Sequence, residues 1–170
     1  MMRSSFIALA GSVVVLYALA LIAGLVVDGR RWFVVHFALG LCAVVFTLLT
    51  HCVVMTYLIA SGKMVRIAVE QSRLDTDYIV RTKELKAQTF PFMIGAILLL
   101  LATVLYGGAA TDRAGVATFH LIAALFAAGY NTFTFVVEFR IITRHVALNT
   151  EVFALHNQVL DGKQQTGAAA

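Results

Sequence analysis

Long apolar runs, separated by shorter polar stretches, dominate the chain. A helix that crosses the hydrocarbon core of a bilayer needs about 20 mostly apolar residues. Four segments are predicted to be such helices, at residues 6–27, 32–60, 91–106 and 116–142. We therefore expect an all-α fold, an integral membrane four-helix bundle, in which residues 1–161 form one domain and residues 162–170 a disordered tail.

The polar stretch between the second and third segments carries apolar residues at helical spacing, Met64, Val65 and Ile67 among them. This pattern predicts that helix 2 continues into the cytoplasm, turns near residues 75–77 and is followed by a second amphipathic helix. Pro91, the single proline, suits the first turn of helix 3, where its missing N–H costs nothing. The first segment is longer than the core of a signal peptide, about 7–15 residues, and is interpreted as a retained helix.

Composition agrees with lipid as the main solvent. The chain is 61% apolar and 13% charged, against about 45–50% and about 25% in soluble proteins. The net charge of +4 does not indicate nucleic acid, because the basic residues cluster at the ends of apolar segments. No nucleophile with a base, phosphate-binding glycine loop or HExxH motif appears, so a stand-alone enzyme is not indicated.

The basic residues also predict the topology. Of 13 Lys and Arg residues, three lie in the two short turns, Arg30, Arg31 and Arg113. The other ten (13 − 3) lie in the N-terminus, the long polar stretch and the C-terminal tail. The positive-inside rule places both termini and the long stretch in the cytoplasm, at the inner membrane of a bacterium. Short outer turns then force helices 1–2 and 3–4 to run as two antiparallel hairpins.

Polar side chains inside apolar helices are energetically expensive, so their positions are informative. On helix 4, His120, Asn131 and Glu138 share one face at about 100° per residue, and this face must lie in the bundle interior. Helix 2 carries His36 and His51. Helices 2 and 4 run in the same direction in this topology, so we expect His36 and His120 at one depth near the outer surface.

Two inward-facing histidines at one depth suit the axial ligation of a haem b. Besides His36 and His120, the candidate haem contacts are two small residues that leave room for the porphyrin and three cations for its propionates: Gly40, Ala124, Arg30, Arg31 and Arg113. A structural interpretation stays open, in which each histidine only hydrogen-bonds to a carbonyl or a headgroup. Copper or zinc is less favoured, because no third ligand is evident.

A second polar group is expected near the inner surface, where His51 and Glu138 reach similar depth and Asn131 lies on the same stripe. A buried carboxylate is costly unless it is paired or protonated. Glu138 can pair with Arg140 or Arg144 by snorkelling, or with His51 across the bundle. An interhelical polar clamp is favoured, and the functional alternative is a proton-handling pair beside a quinone headgroup.

The layout of four helices, with outer-edge His36 on helix 2 and His120 on helix 4, resembles the small b-type cytochrome subunits that anchor respiratory complexes. Succinate dehydrogenase membrane anchors are the nearest comparison. The resemblance covers the helical core, is architectural, and implies electron transfer involving quinone together with a partner subunit. The inner stretch, with Lys83-Glu84-Leu85-Lys86 leading into Thr89-Phe90-Pro91, has no counterpart there.

The sequence thus leads to three hypotheses. The first is a membrane subunit that holds one haem b and transfers electrons within a larger respiratory or photosynthetic complex. The second is a cofactor-free accessory subunit whose helices pack against other subunits or a second copy, and whose basic inner stretch binds partners or anionic lipid. A transporter is the third, and it is disfavoured because the helices show few breaks.

Overall fold

The computed structural model describes residues 2–26, 29–109 and 114–167, and the regular structure of this part of the chain is helical. Its four helices are α1 (Met2–Leu25), α2 (Gly29–Ser72), α3 (Asp77–Ala109) and α4 (Ala114–Gly167). Each is long and apolar enough to cross a membrane. The predicted all-α architecture of four such helices is therefore confirmed.

The two longest helices, α2 and α4, lie at the centre of the fold. α1 and α3 each pack against both of them, and within the described residues α1 and α3 do not contact each other. Polar pairs at three successive levels join α2 to α4 in the described residues, among them His51–Glu138, Ser61–His145 and Ser72–His156. Because the residue numbers rise together in these pairs, α2 and α4 run in the same direction.

The apolar core has two parts, one at each level of the central helix pair. In the first, Val54 and Leu58 of α2 and Ile142 of α4 are buried together with Phe6 and Val13 of α1. In the second, the buried residues come from the later turns of α2 and α4, and residues of the first turn of α3 pack against them: Val65, Ala68, Val69, Leu148, Val152, Tyr78 and Ile79.

The outer surface of the bundle is unusually apolar. Large side chains such as Phe37, Leu98, Leu105 and Phe119 are between 61% and 76% exposed. A soluble monomer rarely exposes apolar patches of this extent. The inside of the bundle, by contrast, holds the polar side chains of α2 and α4, as the angular positions of these residues predict.

The polar stretch between the second and third apolar segments is helical on both sides of a tight turn, as predicted. α2 ends in a Schellman motif, in which the Leu74 N–H donates to the Val69 carbonyl at 3.0 Å and Arg73 has a φ of 52°. Asp75 caps the next helix, because its carboxylate accepts the Asp77 N–H at 2.9 Å. Residues 61–72 and 77–90 therefore extend the bundle beyond the predicted membrane segments.

The prediction for Pro91 is wrong. α3 begins at Asp77, so Pro91 lies inside the helix and not in its first turn. It cannot donate to the Ala87 carbonyl, as any other residue there would. The amphipathic segment and the third apolar segment therefore form one continuous helix, although Pro91 had predicted that a new helix begins near residue 91. At the other end of the chain, α4 continues through Gly162, where the sequence predicts a disordered tail, to Gly167.

Candidate functional site

The structure brings His36 of α2 and His120 of α4 side by side near the start of both helices. Their ring centroids are 6.1 Å apart and their planes meet at 82°. Both side chains are half-buried. The two histidines that the sequence selects thus meet between the central helices, at one level of the bundle.

Each of the two rings is oriented by a backbone carbonyl of the neighbouring helix. His36 Nδ1 lies 2.9 Å from the Ala20 oxygen on α1, and His120 Nδ1 lies 3.1 Å from the Thr103 oxygen on α3. A carbonyl only accepts, so in each ring Nδ1 carries the proton and donates it. In a neutral imidazole whose Nδ1 donates, Nε2 keeps its lone pair, as in histidines that ligate metals.

A glycine allows each ring to approach its neighbouring helix. A Cβ at Gly24 would lie 2.9 Å from His36 Cε1, and a Cβ at Gly107 would lie 2.7 Å from His120 Cε1. Gly24 follows Ala20 by one turn, and Gly107 follows Thr103 by one turn, so both helix pairs hold their histidine in the same way. No role was predicted for these glycines. The feature of the sequence that could have indicated one is a glycine at nearly the same distance before each histidine.

The other candidate haem contacts are placed as follows. Gly40, one turn after His36, has open space where a Cβ would be. Ala124, one turn after His120, is half-buried, and Arg31 is exposed. The side chain of Arg30 and the whole of Arg113 lie outside the described residues.

His36 and His120 are the two candidate ligands that the structure brings together. Within the described ranges, no group of three or more His, Cys, Asp or Glu side chains could hold a metal ion. A haem of the bis-histidine kind takes two protein ligands, because the porphyrin supplies the other nitrogens. Two imidazoles that bind opposite sides of one ion, with each nitrogen about 2 Å away, have ring centroids about 6 Å apart, close to the separation of His36 and His120.

The second polar group, His51 with Glu138, is fully buried. His51 Nδ1 lies 2.7 Å from Glu138 Oε1, and neither side chain is exposed to solvent. On the other side of the ring, His51 Nε2 lies 3.2 Å from Asn131 Oδ1. Arg140 and Arg144, the alternative partners considered for Glu138, are exposed. The structure therefore places all three predicted residues in one network across α2 and α4.

Asn131 is itself anchored by backbone carbonyls. Its Nδ2 donates to the Ala127 oxygen at 2.9 Å and lies 3.4 Å from the Ala96 oxygen of α3. The amide group is therefore oriented with its oxygen toward His51. Nearby, the Tyr17 hydroxyl donates to Thr47 Oγ1 at 2.7 Å, and Thr47 donates in turn to the Ala43 carbonyl. No role was predicted for Tyr17, because a single hydroxyl in an apolar helix does not by itself indicate a buried contact.

Two further histidines lie between α2 and α4 beyond the buried pair. His145 is fully buried; its Nδ1 lies 3.5 Å from Ser61 Oγ, and its ring contacts Tyr57 at 5.6 Å between centroids. His156 is half-buried, and its Nδ1 lies 2.6 Å from Ser72 Oγ. At 3.6 residues per turn, His145 and His156 lie on the same face of α4 as Glu138.

Four buried side-chain atoms of the described chain have no hydrogen-bond partner. All lie on α4 between residues 138 and 149: Glu138 Oε2, Thr143 Oγ1, His145 Nε2 and Asn149 Oδ1. Unsatisfied buried polar atoms are rare in proteins, and bound water is a common reason for them. Three of the four atoms, those of Glu138, His145 and Asn149, belong to side chains that share one face of α4, where bound water would satisfy them.

Comparison of the chain with family models, with curated proteins and with solved structures finds no match. The assignment of function therefore depends on the two polar groups between α2 and α4.

Proposed function

We propose that the protein is a membrane-spanning subunit that binds one haem b between His36 and His120 and takes part in electron transfer. The observation that carries the proposal is the matched orientation of the two rings. Each Nδ1 donates to a backbone carbonyl, each Nε2 keeps its lone pair, and the ring centroids are 6.1 Å apart. A pair of imidazoles bonded through Nδ1 in this way would leave both Nε2 atoms available to hold haem iron.

The membrane setting is part of the proposal. The apolar outer surface supports four helices that cross the bilayer, and the distribution of basic residues supports cytoplasmic termini at a bacterial inner membrane. The pairs Ala20–His36 and Thr103–His120 support two antiparallel hairpins, α1–α2 and α3–α4. Reporter proteins fused after Ala170 and inserted within residues 110–113 test the topology, which requires a cytoplasmic signal from the first and an external signal from the second.

The residues of this chain have distinct tasks in the proposed site. His36 and His120 supply the two ligands, while Ala20 and Thr103 hold the rings through their carbonyls. The open space beside Gly40 would give room for a porphyrin edge, and Arg31, which is exposed, would pair with a propionate. Bound haem supplies a one-electron carrier there. The electron donor and acceptor are then partner subunits of the complex or quinone.

A visible absorption spectrum tests the haem proposal. We expect the full-length protein, expressed with ample haem, to show a reduced-minus-oxidised α band of the b type. His36→Leu and His120→Leu should each abolish the band, because each removes an axial ligand. His156→Leu is the matched control on α4 and should keep it. No band in the wild-type protein, or a band that survives both ligand variants, contradicts the proposal.

One observation favours a second candidate function. Each imidazole already has a hydrogen-bond partner, as a purely structural histidine also has. In this alternative the protein is a cofactor-free accessory subunit, and its apolar surface packs against other membrane subunits. Recovery of a colourless wild-type protein in a stable complex with other subunits, unchanged in His36→Leu, would support it against the haem subunit.

A further inference from the structure

The His51–Glu138 pair shares a single proton. The Asn131 amide nitrogen is bound to the Ala127 carbonyl, so its oxygen faces His51 Nε2. An amide oxygen only accepts, and Nε2 of His51 therefore carries a proton. A second proton lies between His51 Nδ1 and Glu138 Oε1, which are 2.7 Å apart. Whichever atom holds it, the pair as a whole is neutral.

Among the described residues, no Lys or Arg side chain is hydrogen-bonded or ion-paired to His51 or Glu138. The titratable groups around the pair are Tyr17 of α1, through Thr47, and, further along, His145 of α4 with Tyr57 of α2; α3 offers the Ala96 carbonyl. Arg3 of α1 also lies further along α4, where its guanidinium donates to the Thr143 carbonyl at 3.4 Å. Arg140 and Arg144 are exposed. A lone charge at this depth is expensive. We therefore expect His51 and Glu138 to share one proton in their stable state, and the state with an extra proton to be short-lived.

A stripe of three side chains leads away from the pair along α4. Glu138, His145 and Asn149 lie within about 40° of one another, at axial separations of about 10 Å and about 6 Å. Each has a buried atom without a partner in the described chain, Oε2, Nε2 and Oδ1 respectively. Asn149 is only half-buried. Buried waters typically bind such atoms, so the stripe carries polar atoms from the pair toward the surface beyond His145.

One apolar layer interrupts this stripe. Val54, Leu58 and Ile142 are at most 1% exposed and lie between the levels of Glu138 and His145. A tightly packed layer slows the passage of water without forbidding it, because core side chains change rotamers. The layer is therefore the narrowest point between the surface and the buried pair.

We propose that the His51–Glu138 pair is a proton-binding site that exchanges with the cytoplasmic side through His145 and waters bound along the stripe. His145 takes a proton on Nε2 and passes it through water to Glu138 Oε2. The shared proton then moves fully onto His51 Nδ1, and the pair carries one positive charge until a proton returns by the same route. Each transfer moves one proton and no electron. The inference depends on the proposed membrane orientation but not on haem.

Proton exchange in D₂O, followed by NMR on full-length protein in lipid nanodiscs, tests this route. The signal is the downfield proton of the short His51–Glu138 hydrogen bond, identified by its loss in Glu138→Gln. His145→Leu should slow its exchange by at least about tenfold, since a positioned relay contributes about 100-fold to proton transfer. Ile142→Ala should accelerate exchange, because it opens the apolar layer, and this variant decides the question if His145→Leu does not fold.

Two further variants are the controls. His156→Leu makes the same replacement on the same face of α4, past Asn149, and should exchange at the wild-type rate. Tyr17→Phe removes a hydroxyl on the opposite side of the pair and should also leave the rate unchanged. If both His145→Leu and Ile142→Ala exchange the proton at the wild-type rate, the proposal is overturned. Slowed exchange in Tyr17→Phe, without an effect of His145→Leu, overturns it in favour of a route from the other side.

Discussion

His51 of α2 and Glu138 of α4 are joined by a fully buried hydrogen bond of 2.7 Å, although 87 residues separate them in the chain. Asn131 holds the other side of the His51 ring, so the ring is fixed at both nitrogens. The pair lies at the centre of the two longest helices, and its geometry requires one register of α2 against α4. It is therefore a structural clamp as well as a candidate proton site.

The two roles make a clear prediction for stability. Glu138→Leu leaves His51 without its partner, and His51→Leu leaves a buried carboxylate, so each should lower the free energy of unfolding by about 3–5 kcal/mol. The double variant should cost less than the sum, because neither His51 nor Glu138 is left buried without the other. Thermal or denaturant unfolding in detergent measures the cycle. Additive losses would show that the two side chains are not coupled.

The helical architecture and the angular position of the polar residues were predictable from the sequence. The four apolar segments follow from hydropathy, and the common face of His120, Asn131, Glu138 and His145 follows from 3.6 residues per turn. The predicted topology, in which helices 2 and 4 run in the same direction, placed His36 at the level of His120. The apolar segments and the polar face are local features of one helix at a time, and a single sequence contains that information.

What the sequence did not indicate are contacts that require knowing which helices touch. The carbonyls of Ala20 and Thr103 have no side-chain signature, and Gly24 and Gly107 are ordinary in an apolar helix until a ring is known to lie against them. The prediction that Pro91 lies in the first turn of a helix was wrong because it relied on the frequency of proline at that position. Inside α3, its missing hydrogen bond is tolerated within a helix that tertiary packing holds on both sides.

The turn after α2 offers a test of backbone strain. Arg73 has a φ of 52°, in the left-handed region, which costs a non-glycine residue about 1 kcal/mol. Arg73→Gly should therefore stabilise the protein by about that amount, as measured by thermal unfolding. Lys63→Gly, in the exposed interior of the same helix, should have the opposite sign and cost about 1 kcal/mol. A loss of stability in both variants would contradict the strained turn.

The contact of the first turn of α3 with α4 predicts an altered tyrosine titration. The Tyr78 hydroxyl donates to Glu151 Oε1 at 2.7 Å, and this bond raises the pKa of Tyr78. Because the pKa is higher in the folded state, the contact contributes stability below about pH 10 and loses it as the pH rises further. The wild-type minus Tyr78→Phe tyrosinate absorbance isolates this group, and Glu151→Ala should return its pKa toward the ordinary value. An ordinary pKa in the wild-type protein would show that the contact does not form.

The glycines beside the two histidines allow the outer site to be tested without changing a ligand. A Cβ at Gly24 or Gly107 would lie 2.9 Å or 2.7 Å from a histidine Cε1, whereas one at Gly129 would meet nothing within 4 Å. Gly129→Ala should therefore stabilise α4 by about 0.5–1 kcal/mol. Gly24→Ala and Gly107→Ala should instead cost about 1–3 kcal/mol through overpacking, and should weaken the proposed haem band because the ring must move. Unfolding curves and the visible spectrum report the two effects separately. If Gly24→Ala and Gly107→Ala both stabilise the protein as Gly129→Ala does, and the band is unchanged, the histidine rings do not lie against these glycines.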